Sequence, residues 1–266
     1  MTSMVNSGVE TINPDGHDGA VVLDGVEMTF RNGADATTAV ADVSGTVRAG
    51  SFVSIVGPSG CGKSTLLDLV AGLQSPTSGA VMVDGGAVRK PRRDTALVFQ
   101  EDSTLHWRTV LDNVAFGLEM RGVGKRERRA VAQEMVELVG LGGFEKHRPR
   151  QLSGGMRQRV AIARALAMNP SILLMDEPFG ALDQQTRHHV GAELTRIWES
   201  TRKTVLFVTH DVAEAVYLSD QVWVMSKRPS RLSACIDITL PRPRSLEVMS
   251  TDAFQHTVAQ IWEMLA

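Results

Sequence analysis

The chain has 266 residues, 43% of them hydrophobic and 22% charged, so a globular core is expected, as one large domain or one domain with an inserted subdomain. The formal net charge of -2 holds no basic surplus, which argues against nucleic acid as the main partner. Two cysteines, Cys61 and Cys235, imply no disulfide framework and fit a reducing cytosol, and no run of about 18 apolar residues offers a membrane span.

Residues 1–19 lack the basic and apolar regions of a signal peptide and are rich in Gly, Asn, Ser and Asp, so a disordered leader is expected. Next come short strands at Val21-Val22-Leu23, at Val26 to Phe30 and at Ala39-Val40-Ala41, divided by Gly, Asn and Asp. Phe52-Val53-Ser54-Ile55-Val56 is an apolar run typical of a buried strand. Glycines then break the chain, and helical spacing resumes from Lys63 to Leu73. Ala96-Leu97-Val98-Phe99 is another buried-strand candidate.

From about 103 to 151 no apolar β-run occurs. Val131, Met135, Leu138 and Val139 share one helix face that ends near Gly140, so this stretch reads as a helical insertion. Strand and helix then alternate: Ile172 to Met175, a helix carrying Val190, Leu194, Ile197 and Trp198, then Val205 to Val208, then Val222 to Met225. Such alternation argues for a parallel sheet covered by helices. A polar tail follows Pro241, with a short helix expected from Phe254 to Leu265.

Gly57-Pro58-Ser59-Gly60-Cys61-Gly62-Lys63-Ser64-Thr65 matches a phosphate-binding loop, in the strand-to-helix context that such a loop needs. Its amides can wrap phosphates, Lys63 can neutralise them, and the Ser64 hydroxyl can bind Mg2+. Cys61 reads as a small filler rather than a nucleophile. Asp176-Glu177 ends an apolar strand, where ligands of open α/β sheets gather. Asp176 can hold Mg2+ there, and Glu177 can polarise a water for attack on a phosphate. Gln100 and His210 are polar residues that also follow strands. Phe30, on the residues alone, reads as a core aromatic. Lys125, Arg126, Glu127, Arg128 and Arg129 read as a solvated helix face.

Leu152-Ser153-Gly154-Gly155-Met156-Arg157-Gln158-Arg159 offers a second anion site: two glycines allow close backbone approach, and a helix N-terminus supplies free amides. One nucleotide does not need two such sites.

Together these segments resemble the ATP-binding subunits of ABC transporters, over about residues 21–243 and in the family's order. Residues 57–65 resemble Walker A, Gln100 the Q-loop, 152–158 the signature, 172–177 Walker B, Ala181-Leu182-Asp183 the D-loop and Thr209-His210-Asp211 the H-loop. The resemblance implies an α/β P-loop NTPase (RecA-like) parallel-sheet core with an N-terminal antiparallel β subdomain and an inserted α-helical subdomain. It divides the chain into a 1–19 leader, an ATPase domain over 20–250 (20–100 and 165–240 core with the β subdomain, 101–164 helical) and a 241–266 tail.

The resemblance also implies roles. ATP and Mg2+ are the expected ligands, with Phe30 stacking on adenine where Tyr is commoner. Glu177 acts as general base, His210 contacts the γ-phosphate, and Gln100 senses Mg2+ and γ-phosphate. Residues Ser153, Gly154, Gly155, Gln158 and Asp183 serve the nucleotide of a second copy packed head to tail, which accounts for two anion sites. The helical insertion docks integral-membrane permease subunits, placing the chain on the cytoplasmic face of the cell membrane, and a solute-binding protein acts indirectly. Leu105-His106-Trp107-Arg108-Thr109-Val110 after Phe99-Gln100-Glu101, with 224–229 and 240–244, is similar to the nitrate, sulfonate and taurine importer group, although Pro is more usual at His106. The rival readings are an exporter ATPase, a non-transport ABC protein, and a soluble P-loop kinase or passive nucleotide-binding module.

Overall fold

Phe52–Val56 is buried at every position, a pattern that suits a strand flanked on both edges and covered on both faces. The computed structural model describes residues 18–33, 35–100, 103–180 and 182–265. The strands are β1 (Val21–Asn32), β2 (Asp35–Val47), β3 (Phe52–Val56), β4 (Ser78–Val83), β5 (Gly86–Ala87), β6 (Thr95–Val98), β7 (Ile172–Asp176), β8 (Thr204–Val208), β9 (Gln221–Met225) and β10 (Leu232–Asp237). The helices are α1 (Lys63–Ala71), α2 (Val110–Val114), α3 (Phe116–Met120), α4 (Lys125–Leu138), α5 (Gly154–Ala167), α6 (Gln184–Thr201), α7 (Val212–Leu218) and α8 (Asp252–Leu265).

Two sheets form. The larger runs β10-β9-β3-β8-β7-β6, parallel except that β10 is antiparallel to β9. The smaller is antiparallel, β2-β1-β4-β5. Side chains of the large sheet alternate between its faces. Phe52, Leu173, Met175, Val205, Phe207, Val222 and Val224 join one apolar cluster with α5, α6, α7 and α8. Val53, Ile55, Leu174, Leu206, Val208, Trp223 and Met225 join the other, with α1 and the small sheet. Each such large side chain contributes about 1.5–3 kcal/mol of burial, so both faces hold the sheet in place.

Three local differences from the sequence reading have physical causes. β1 passes straight through Asp24-Gly25, which reads as a turn, because the register shifts between Leu23 and Met28 absorb Gly25 at φ 56° as a bulge. β4 and β10 are strands the apolar pattern does not announce. β10 shows half-buried and exposed positions in alternation, as an edge strand does. The C-terminal segment is docked, not free: Phe254 and Ile261 of α8 are buried. Arg244 is buried too, and its guanidinium donates to the carbonyls of Val216, Tyr217, Ser219 and Leu240, closing the C-terminal end of α7. Burial pulls its pKa down to about 10.

The expected leader lies outside the described residues except for Asp18 and Gly19, and the Gly19 amide donates to Asp84. The helical insertion holds α2, α3 and α4, tied by ion pairs from Arg128 to Glu119 and from Arg129 to Asp112. Lys125, Arg126, Glu127 and Arg129 keep to the expected solvated face, whereas Arg128 is half-buried against Glu119.

Candidate nucleotide site

Val56 ends β3, and the glycine loop turns the chain into α1. Gly62 has φ 111°, and a Cβ there would lie 3.1 Å from the Ala39 carbonyl, so both conformation and space require glycine. Gly62 also caps α1 without a side-chain hydrogen bond. The first-turn amides of α1 thus have no competing side-chain acceptor at the cap and suit an anion. Lys63 is only 6% exposed, and its ammonium donates to the carbonyls of Gly57 (2.9 Å) and Pro58 (3.1 Å). Cys61 is buried, and burial pushes its thiol pKa up, which suits a filler and not a thiolate. Ser59, Gly60 and Ser64 are exposed, while Pro58 and Thr65 are half-buried. An unanticipated partner closes the loop: Arg228 Nη2 donates to the Gly60 carbonyl at 2.7 Å. The segment around Arg228 drew notice in the sequence only for its similarity to a transporter group.

β8 lies between β3 and β7, so the loop after β3, His210 after β8 and Asp176-Glu177 after β7 meet at the carboxyl edge. Gln100 follows β6 on the far side of β7. Asp176 accepts a hydrogen bond from Ser64. Burial raises its carboxyl pKa, and the Ser64 hydrogen bond opposes the rise. Glu177 Oε2 lies 3.0 Å from His210 Nδ1. Glu177 sits at φ 42°, a left-handed conformation that costs a non-glycine residue about 1 kcal/mol or more. Its amide donates to Val208 and its carbonyl accepts from Gly180, and these bonds hold the strained turn. Gln100 is exposed. A Cβ on Gly180 would lie 3.8 Å from both Gln100 Nε2 and Glu177 Oε2, so the two side chains converge over that glycine.

Phe30 pairs with Thr37 in the small sheet and is 42% exposed. It is not a core aromatic, and its ring remains open to stacking.

The octet stands elsewhere. Ser153 caps α5 by accepting from the Met156 amide at 3.2 Å. A Cβ on Gly155 would lie 2.6 Å from Thr186 Cγ2, and one on Gly154 3.8 Å from Leu182 Cδ2. The octet's glycines therefore abut the start of α6. Asp183 caps that helix, accepting from the Thr186 amide (3.0 Å) and hydroxyl (2.7 Å), and these bonds hold its carboxyl pKa below the usual range. Ser153 and Asp183 are both exposed. Gln158 is buried, and its Nε2 has no hydrogen-bond partner among the described residues. It faces the interior and not a ligand surface. Glu101 and Ala181 lie outside the described residues.

Ser64 and Asp176 are hard oxygen donors already in contact, the ligand type magnesium takes. Among the described residues no group of three or more His, Cys, Asp or Glu could hold a metal alone.

Residues 40–180 match the model of the family described as ABC transporter. A taurine import ATP-binding protein of Burkholderia pseudomallei is 51% identical over 79% of this chain and 80% of its own. A nitrate import ATP-binding protein of Synechococcus elongatus is 42% identical over 95% of this chain and 92% of its own. A dimeric, post-hydrolysis structure of an ATP-binding cassette bound to ADP and phosphate superposes with a TM-score of 0.73 at 35% identity, covering 83% of this chain and all of that one.

Proposed function

Because the chain belongs to the ABC transporter family, we propose that it is the ATP-hydrolysing subunit of an importer for a small solute of the nitrate, sulfonate or taurine type. One observation carries the proposal. The phosphate loop, Asp176, Glu177 and His210 stand at neighbouring strand ends, with Glu177 and His210 in contact at 3.0 Å. That is a base and a polar partner set beside a phosphate cradle.

In this reading the amides of the loop 57–65 and Lys63 hold the phosphates, and Phe30 stacks on the adenine. Ser64, Asp176 and Gln100 hold magnesium, which when bound neutralises charge on the phosphate oxygens. Glu177 takes a proton from the attacking water, and His210 orients Glu177 and contacts the γ-phosphate. Positioning and charge stabilisation supply most of the catalysis. The exposed Ser153, the half-buried Gly154 beside it and the exposed Asp183 complete the site of a second copy. The domain assignment follows: 20–100 and 165–240 form the core with its β subdomain, and 101–164 the helical subdomain. Phe99, Trp107 and Met120 are large and exposed just before and within the helical segment, which supports permease docking there. No helix among the described residues is long and apolar enough to cross a membrane. A peripheral position on the cytoplasmic face accords with permease docking.

Glu177→Gln tests the reading. Steady-state hydrolysis should collapse while ATP-dependent dimers accumulate in size-exclusion chromatography, and retained turnover removes Glu177 from the role of base. Ser153→Arg should abolish hydrolysis with ATP binding by the monomer intact. Co-purification with membrane subunits, followed by ligand screening of the associated binding protein, identifies the solute.

A further inference from the structure

Arg187 lies one turn into α6 with a mostly buried side chain, 21% exposed. Its guanidinium forks between two loops. Nη2 donates to the Leu182 carbonyl at 3.3 Å, and Nη1 pairs with Asp211 Oδ2 at 3.2 Å. Its Nε is buried with no hydrogen-bond partner among the described residues.

Asp211 is tied further within its own turn. Its Oδ1 accepts from the Glu214 amide at 3.1 Å, capping α7, and its own amide donates to Thr209 Oγ1 at 3.0 Å. The Thr209 hydroxyl donates to Glu214 Oε2 at 2.5 Å. His210 therefore sits between two residues that are each anchored, with its ring on Glu177. At the other end of the fork, Leu182 immediately precedes Asp183, the exposed N-cap of α6. The loop after β7 and the loop after β8 are thus joined twice: in the site by Glu177 and His210, and behind it by Arg187.

We propose that Arg187 is a positioning residue that couples the loop of Asp183 to the loop of His210. Resting on the reading of the chain as a dimeric ATPase, this gives the second copy a route into the site. A contact that shifts the backbone at Leu182 and Asp183 pulls on Asp211 through one rigid, planar group, and so moves His210 against Glu177. The job suits arginine because its fork grips two acceptors in fixed geometry, whereas lysine offers a single point charge.

The test is steady-state hydrolysis by the full chain carrying Arg187→Ala, Asp211→Ala or both, with thermal melting alongside. Each single change should lower kcat on the order of tenfold, leaving KM for ATP within about twofold. The double variant should fall no further than either single, because one relay is cut twice. Unchanged kcat in the single variants overturns the proposal. So does a loss carried by KM, or a double variant whose losses multiply. Should Arg187→Ala melt too early to assay, Arg187→Lys and Asp211→Asn decide. Both should keep kcat depressed, and full recovery in the lysine variant overturns the fork. A wild-type chain that hydrolyses no ATP removes the underlying reading and the relay with it. An active wild type matched by Arg187→Ala removes the relay alone.

Discussion

Glu177 and His210 are 33 residues apart in the chain and 3.0 Å apart in space, Oε2 to Nδ1. Parallel pairing of β7 with β8 places both at one sheet edge, and the left-handed backbone at Glu177 turns its side chain toward the imidazole. Removing the ring leaves the carboxylate without its orienting partner. His210→Ala should therefore lower kcat by on the order of a hundredfold. Binding of ATP by the monomer should persist, because the phosphate loop is untouched. Steady-state phosphate release and equilibrium nucleotide titration measure the two quantities, and wild-type turnover in the variant rejects the role.

Gly155 and Thr186 set a second prediction. A methyl at Gly155 would lie 2.6 Å from Thr186 Cγ2, so Gly155→Ala should cost about 1–3 kcal/mol through overpacking. Thr186→Ser removes that methyl and keeps the hydroxyl that binds Asp183. The double variant should recover much of the loss in urea unfolding. If Thr186→Ser restores nothing, the clash is not the cause.

Glu214 predicts a pH dependence. Burial raises its carboxyl to about 7, with Asp211 adding to the rise, while the Thr209 hydroxyl, Arg187 and His210 oppose it. Between the ordinary glutamate value of about 4.3 and about 7, the native state keeps a proton that the unfolded chain has released. Stability of the nucleotide-free chain should therefore fall as pH rises through this window, by about 3–4 kcal/mol, and then level off. Glu214→Gln cannot ionise and should flatten that slope. Urea unfolding at a series of pH values from about 5 to about 8 compares the two chains. An equal slope in both assigns the dependence to another group.

Arg244 is buried and donates to four backbone carbonyls. Arg244→Ala leaves those carbonyls without their donor and opens a cavity behind α7, at a cost of about 3 kcal/mol. Arg244→Lys should recover only part, since one ammonium cannot serve all four. Denaturant midpoints for the three chains settle the order, and an alanine variant as stable as wild type rejects the clamp.

Much of this protein is legible in its sequence where the signal is local. The runs at Phe52, Ile172, Val205 and Val222 announce strands buried on both faces because a parallel sheet leaves no polar side. The glycines of 57–65 and the start of a helix at the second glycine pair are equally plain, since backbone conformation at glycine and helix starts are decided within a few residues. The membership of β10, the passage of β1 through Gly25 and the docking of α8 depend on partners far along the chain, and short-range pattern does not carry them. The same holds within the site. The family resemblance assigns Gln158 to the nucleotide of a second copy, yet the packing of α5 buries it. Nothing in the spacing of Arg187 and Asp211, 24 residues apart, discloses their contact. Strand order decides which loop ends meet, and only the folded sheet brings Glu177 to His210 and Arg187 to both loops.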